Sequence, residues 1–237
     1  MTINLGGRVL DYELHRKPVK HINLRIRPDG SVFVSANNNI SQEEIENFII
    51  KKSEMIFNAI ERYSEISKYS AEDYSYVAGE SFRYLGKNLR LKVNVGKRKV
   101  DTDGVYLYMT LHDISDKKMK IQLISNWYDK ECRTLFPAII RDVYNKLFQK
   151  YDIALPSLII RNMTSRWGSC QIKRNTITLN RRLIETPREC IEYVIVHEFT
   201  HFLQPNHSRK FYDLLAVFMP DWEERKNTLE GFMFQRI

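Results

Sequence analysis

Alternating apolar and polar residues predict strands in two stretches of the first half of the chain. Residues 9–14 and 21–27 read as strands, and a third strand over residues 32–34 follows the turn signal Pro28-Asp29-Gly30-Ser31. In the second stretch the apolar residues Leu89, Leu91, Val93 and Val95 alternate with basic or polar ones, and another strand follows the turn Asp103-Gly104. The alternation indicates sheets with one buried and one solvated face. No internal repeat with a fixed period is visible.

Apolar residues at helical spacing predict two long helices. Ser41, followed three residues later by Glu44, forms a capping box that begins a helix over residues 42–68. Residues 115–150 carry a second apolar stripe, interrupted by Pro137, so we expect a kink or two shorter helices there.

The last third of the chain predicts a hairpin followed by a helix. A short strand over residues 158–161 precedes two β-prone segments around the polar turn Lys173-Arg174-Asn175, which is typical of an antiparallel hairpin. Thr186 as N-cap and Pro187 as first residue predict a helix over residues 187–203. These elements indicate an α+β fold with a β-rich N-terminal region over residues 1–112, including helix 42–68, and a C-terminal domain over 113–237.

Composition narrows the class of protein. The chain has 237 residues, of which 43% are hydrophobic and 28% charged, values ordinary for a globular protein. No apolar run reaches the length of a membrane span, and the N-terminus lacks the features of a signal peptide. The three widely spaced cysteines form no Cys-x-x-Cys pair, which favours reduced thiols and a cytoplasmic location.

The formal net charge of +8 raises the question of an anionic partner. Basic residues cluster within residues 16–27 and again within residues 83–99. Such surfaces can attract nucleic acid. We favour ordinary solvated strand faces, because no nucleic-acid-binding motif accompanies the charge.

The sequence His197-Glu198-Phe199-Thr200-His201 matches the H-E-x-x-H pattern. On a helix, residues four apart share a face, so both histidines can reach one metal ion. Glu198 then lies beside the metal without binding it, placed to take a proton from a metal-bound water. This pattern is typical of zinc hydrolases.

A catalytic zinc site needs a third protein ligand, for which the chain offers two kinds of candidate. His207 follows His201 by six residues, and Pro205 ends the helix between them, as in the metzincin spacing except that Gln204 replaces glycine. Alternatively, Glu223 or Glu224 on a later helix supplies a carboxylate. We favour His207, because it requires only a local turn and the acidic pair suits a helix N-terminus.

Arg166 and Trp167 are candidates for a substrate cleft. The arginine is suited to stabilise a developing oxyanion or hold an acidic group, and the tryptophan to line a cleft.

Several motifs together resemble the YgjP-like metal-dependent hydrolases, which are related to the SprT-like zinc proteases. They are Arg166-Trp167-Gly168-Ser169-Cys170, Leu179-Asn180, Tyr193-Val194, the His197–His201 motif and Asn206-His207-Ser208 with Phe211. The resemblance implies a minimal zincin domain, with zinc ligands at His197, His201 and His207 and Glu198 as general base. Phe199 and Tyr212 depart from the usual Leu and Trp of that family, away from the metal.

The resemblance leaves the substrate open, because members are described both as proteases and as UTP pyrophosphatases. We expect a zinc-dependent peptidase that acts on peptides or proteins. A nucleoside triphosphate pyrophosphatase is the alternative, although no phosphate loop is visible. A third hypothesis is a nucleic-acid-associated zinc protein that acts on DNA-bound substrates.

Overall fold

The structure is a computed structural model, which describes residues 1–27, 29–67, 74–164 and 166–234. The chain divides into two compact units, Met1–Glu72 and Asp73–Met233, each with a hydrophobic core of its own. Helices and small mixed sheets occur together, so the predicted α+β class is confirmed. No helix in the described part of the chain is long and apolar enough to cross a membrane.

The first unit, over its described residues, is a four-stranded sheet with two helices. Its strand order is β1-β2-β4-β3, in which β2 and β4 are parallel and the other neighbours antiparallel. The core contains Leu10 and Tyr12 of the sheet and Ile45 and Ile49 of the first helix. The elements are β1 (Thr2–Leu5), β2 (Arg8–Arg16), β3 (Asn23–Ile26), β4 (Val32–Ala36), α1 (Gln42–Lys51) and α2 (Ser53–Ser67).

The single helix predicted over residues 42–68 is two helices, and residue 68 lies outside the described residues. The capping box of Ser41 and Glu44 is present as predicted. The helix then ends at Lys52, because the N–H of Lys52 donates to the carbonyls of Ile49 and Ile50. A new helix begins at Ser53 and places Ile56 in the same core.

The second unit contains two sheets and four helices among the residues that the structure describes. The first sheet has the order β5-β6-β8-β7, and the second has the order β10-β11-β9. Its elements are β5 (Ser81–Tyr84), β6 (Lys87–Val95), β7 (Lys99–Thr102), β8 (Tyr106–Leu111), α3 (Lys117–Val143), β9 (Ser157–Arg161), β10 (Gly168–Gln171), β11 (Thr176–Asn180), α4 (Arg188–Leu203), α5 (Arg209–Phe218) and α6 (Trp222–Phe234).

The β5–β8 sheet repeats the topology and register of the β1–β4 sheet. Tyr12 pairs with Val32 in the first sheet, and the equivalent residues Leu91 and Leu107 pair in the second. Strands β2 and β6 also have the same order of buried and exposed positions. In each case five residues separate the last strand from the next helix, which begins behind a capping residue, Ser41 or Asp116. The spacing between equivalent residues changes along the chain, which explains why no fixed period is visible in the sequence.

Residues 73–112 belong to the same compact unit as the C-terminal elements. Leu91, Leu107 and Met109 of the sheet pack in one core with Ile124 and Trp127 of α3. The residue contacts divide the chain between residues 72 and 73. The predicted domain boundary at residue 112 stays a prediction.

Helix α3 runs through Pro137 rather than ending there. A proline inside a helix costs one backbone hydrogen bond and about 3 kcal/mol. Here Phe136, Ile139 and Ile140 around it are all buried, and their burial offsets that cost. Of the two predicted outcomes at Pro137, two shorter helices are therefore wrong, and a kink stays a prediction. A single turn of π-helix follows at Tyr144–Phe148.

The predicted hairpin is present as β10 and β11, which are antiparallel. Strand β9 extends it by pairing in parallel with β11, so the small sheet is mixed rather than wholly antiparallel. Helix α4 begins at Arg188 with Pro187 as N-cap. Thr186 does not cap it, because its hydroxyl donates to the carbonyl of Leu183.

Candidate metal centre

Three histidine side chains converge at the C-terminal end of α4. His197 and His201 lie one helical turn apart, and His207 follows in the loop before α5. Nε2 of His207 lies 3.0 Å from Nε2 of His197, and one ring nitrogen from each histidine lies within 4.8 Å of those of the other two. Nitrogens bound to one zinc ion lie roughly 3.3 Å apart, so this donor set fits a single metal ion.

The loop after α4 brings His207 back towards the helix. Gln204 is the C-cap of α4, and Pro205 prevents the helix from continuing. The amide of Gln204 donates to the hydroxyl of Ser208 at 3.2 Å, which closes the turn around His207. Local sequence therefore accounts for the third histidine.

Phe211 packs against all three imidazoles. Its ring centroid lies 4.9, 4.7 and 4.8 Å from those of His197, His201 and His207, and its side chain is fully buried. This single ring restricts the orientation of all three candidate ligands. Sequence patterns gave Phe211 no role of its own, although it follows His207 by one helical turn.

Burial favours the neutral forms of His197 and His201. Burial lowers the pKa of His197 to about 3, and electrostatic repulsion from His201, His207 and Lys226 acts in the same direction. Burial and the nearby His207 also lower the pKa of His201. A neutral imidazole has a free lone pair for a metal, so these groups are ready to bind a cation at neutral pH.

Glu198 is a buried carboxyl group beside this cluster, with 5% of its surface exposed. Burial raises its pKa to about 8, and the charge of Arg166 opposes this shift. A divalent cation nearby favours the carboxylate. Glu198 is therefore an acid–base group whose protonation responds to the local charge.

Strand β10 approaches α4 so closely that only glycine fits at residue 168. A β-carbon at that position would lie 2.6 Å from Oε1 of Glu198 and 2.8 Å from Cγ1 of Val194. Gly168 therefore sets the distance between the strand and the carboxyl group. Gly168 belongs to one of the motifs that resemble the family, but the sequence alone does not show why glycine is required there.

The loop that carries Arg166 and Trp167 is held by Asn180, which is buried. The side-chain amide of Asn180 donates to the carbonyls of Met163 and Arg166, and its backbone N–H donates to the carbonyl of Trp167. Both cleft candidates thus occupy the cleft wall, Arg166 exposed and Trp167 largely buried.

The start of α4 is anchored by the turn between β5 and β6. The backbone N–H groups of Leu85 and Gly86 donate to the carbonyls of Ile184 and Glu185 at 2.9 and 3.1 Å. Both turn residues have positive φ angles, and a β-carbon on Gly86 would lie 2.8 Å from Cγ of Pro187. The β5–β8 sheet therefore positions the helix that carries the histidines.

The candidate centre opens into a cleft of about 510 Å³. The β10 strand forms one wall, and residues of α6 form another. Glu223 and Glu224, the alternative ligands, are both exposed at the start of α6 and do not line this cleft.

Several residues that line the cleft received no role from sequence reasoning. They are Cys170, Tyr193, Lys226, Leu229 and Glu230. The first two belong to motifs of the family resemblance, whereas no local pattern marks the other three. Only the packing of α6 beside α4 brings those three to the cleft.

Comparison with known proteins identifies the family. A family model described as YgjP-like, metallopeptidase domain, matches residues 20–232. The chain belongs to this family. The predicted resemblance is thereby confirmed, and no curated protein matches the chain.

Two solved structures resemble part of the chain. The metallopeptidase zymogen of Methanocaldococcus jannaschii jannalysin is 23% identical, with a TM-score of 0.35, over 40% of this chain and 94% of that one. The metallopeptidase zymogen of Pyrococcus abyssi abylysin is 19% identical, with a TM-score of 0.36, over 41% of this chain and 93% of that one.

Proposed function

We propose that this protein is a zinc-dependent peptidase in which His197, His201 and His207 bind the metal and Glu198 is the general base. Membership of a metallopeptidase family supports the reaction class. The observation that carries the proposal is the convergence of three imidazoles beside one buried carboxyl group.

His197, His201 and His207 would hold a zinc ion, which would supply a Lewis acid and would lower the pKa of a bound water molecule. Glu198 accepts the proton of the attacking water and then transfers it to the leaving amine. A carboxyl group whose pKa lies near neutral pH can do both, because it loses and regains a proton with little free-energy cost. Arg166 favours the carboxylate form of Glu198 through its positive charge.

The wall formed by β10 supports a peptide as the substrate. This strand pairs with β11 on one side, and no other strand of the described chain occupies its second edge. An extended peptide can add to such an edge through backbone hydrogen bonds. Because β10 lies against Glu198 at Gly168, a peptide on that edge passes beside the proton acceptor.

The decisive experiment compares the wild type with the Glu198→Gln variant. Glutamine keeps the size of the side chain but cannot accept the proton. We expect turnover of casein or a quenched fluorescent peptide to fall by at least about a thousandfold, while the zinc content stays unchanged. Full activity of the variant would contradict the mechanism.

Two controls separate the substrate classes. The wild type is assayed with UTP beside the peptide, each with and without a chelator. We expect chelator-sensitive cleavage of the peptide only. Cleavage of UTP without cleavage of any peptide would replace the peptidase by a pyrophosphatase.

A further inference from the structure

The outward face of the β5–β8 sheet combines basic and aromatic side chains. Arg90 and Lys92 of β6 are exposed and alternate with Leu89 and Leu91, which are buried. Lys97 and Arg98 continue the positive charge in the turn after β6. We call these four basic residues and the neighbouring Tyr106 and Tyr108 of β8 the basic face.

The tyrosines lie directly beside the positive charge. The ammonium group of Lys92 lies 3.6 Å from the ring centroid of Tyr106 and 5.4 Å from that of Tyr108. The two rings are 6.1 Å apart, and the hydroxyl of Tyr108 donates to Asp103 at 2.8 Å, which holds that ring in place. Aromatic rings next to cations are what a strand of bases and phosphates requires.

Among the described residues, no ion pair neutralises the charge of the basic face. In the part of the chain that the structure describes, no carboxylate forms an ion pair with Arg90, Lys92, Lys97 or Arg98. The acids nearby are already engaged: Asp101 pairs with Lys99 at 2.6 Å, and Asp103 accepts hydrogen bonds from Val105, Tyr106 and Tyr108.

The duplicated sheet shows that this charge is not a requirement of the fold. The β1–β4 sheet is paired in the same register as the β5–β8 sheet. It has Asp11 at the position of Arg90 and Glu13 at the position of Lys92. The same topology thus tolerates either sign. The positive charge on the β5–β8 sheet is therefore better explained by an anionic binding partner than by the fold.

We propose that the basic face binds single-stranded nucleic acid, with the basic side chains at successive phosphates and bases stacked on the tyrosines. Within β6, residues 90–95 extend over roughly 17 Å at the rise of a strand, enough for about two or three phosphates. Partly exposed aromatic rings on a sheet, such as those of Tyr106 and Tyr108, are suited to unpaired bases, whereas a duplex hides its bases. This binding does not depend on the metal centre.

The test measures fluorescence anisotropy of a labelled single strand of about 15 nucleotides, as DNA and as RNA, over a range of salt concentrations from about 50 mM. The variant Arg90→Asp/Lys92→Glu carries the acidic residues that the first sheet already accommodates. We expect it to bind at least about tenfold more weakly than the wild type, with a smaller salt dependence.

The matched control is Lys146→Glu/Lys150→Glu, which changes the net charge equally on exposed residues in the π-helical turn after α3 and just beyond that turn. We expect its affinity to stay within about twofold of the wild type. Equal weakening in both variants, or no binding by the wild type at low salt, overturns the proposal.

Two further measurements test the chemistry. Tyr108→Leu should weaken binding by about tenfold and Tyr108→Phe should not, because bases stack on the ring. Wild-type affinity of Tyr108→Leu contradicts the stacking. Tighter binding to phosphatidylserine vesicles than to the oligonucleotide, or a dimer that the Arg90→Asp/Lys92→Glu variant dissociates, assigns the face to a membrane or to a second copy of the chain and overturns the proposal.

Discussion

Gly168 and Glu198 lie so close together that the glycine has no room for a β-carbon. That atom would stand 2.6 Å from Oε1 and 2.9 Å from Cγ of the glutamate. The carboxyl group is buried against the strand, and this burial raises its pKa to about 8. A backbone contact therefore determines both the position and the protonation of the proposed general base.

The Gly168→Ala variant should lose activity while it keeps its metal. The added methyl group displaces Glu198, and we expect kcat to fall by at least about tenfold, because small misplacements of a catalytic group are costly. Zinc content and peptide turnover check this. Gly231→Ala is the control, because a β-carbon there meets nothing within 4 Å. Wild-type kcat for Gly168→Ala would show that Glu198 tolerates displacement.

Gly86→Ala should destabilise the second unit more than Gly104→Ala does. Both glycines have positive φ angles, +78° and +88°, so both variants carry backbone strain. Only at Gly86 would the new β-carbon also meet Pro187, whose Cα would lie 3.2 Å away. We expect the free energy of unfolding of Gly86→Ala to be lower by roughly 1–3 kcal/mol than that of Gly104→Ala. Urea denaturation measures this difference, and equal stabilities would contradict the anchoring of α4.

The stability of the metal-free protein should decrease with rising pH because of Glu198. Burial raises the pKa of this group from 4.5 to about 8 in the folded state. A raised folded-state pKa stabilises the fold fully below pH 4.5, and that stability is lost as the pH rises through 8. We expect melting temperatures in chelator to fall over this range relative to Glu198→Gln, whose amide does not titrate.

The Glu198→Gln comparison also controls for the histidines. Burial lowers the pKa of His197, which destabilises the fold at acid pH in both proteins and cancels in the difference. Parallel melting curves from pH 5 to about 8 would mean that Glu198 is ionised in the folded protein.

His207 should be required for zinc binding, and the acidic pair of α6 should not. We expect His207→Ala to weaken zinc affinity by at least about a hundredfold, because only two ligands remain. Glu223→Gln/Glu224→Gln should bind zinc as the wild type does, since these side chains do not line the cleft. Competition with a chromophoric chelator measures both affinities. The reverse pattern would move the third ligand to α6.

Local signals predicted a large part of this protein. The capping box at Ser41, the β10–β11 hairpin and the long helix around His197 are present, because each depends on neighbouring residues. The errors arose where packing outweighs propensity. Pro137 does not end α3, since the buried residues around it offset the lost hydrogen bond.

The sequence by itself determined the candidate chemistry, because helical spacing places His197 and His201 on one face and Pro205 ends the helix before His207. Only the tertiary structure decided what surrounds these residues. Phe211 against His197, Asn180 of β11 against the cleft loop and the turn at Gly86 against Pro187 are contacts between residues separated in sequence. The duplicated sheet was likewise invisible in the sequence, because strand topology repeats through pairing and register while the residues and their spacing differ.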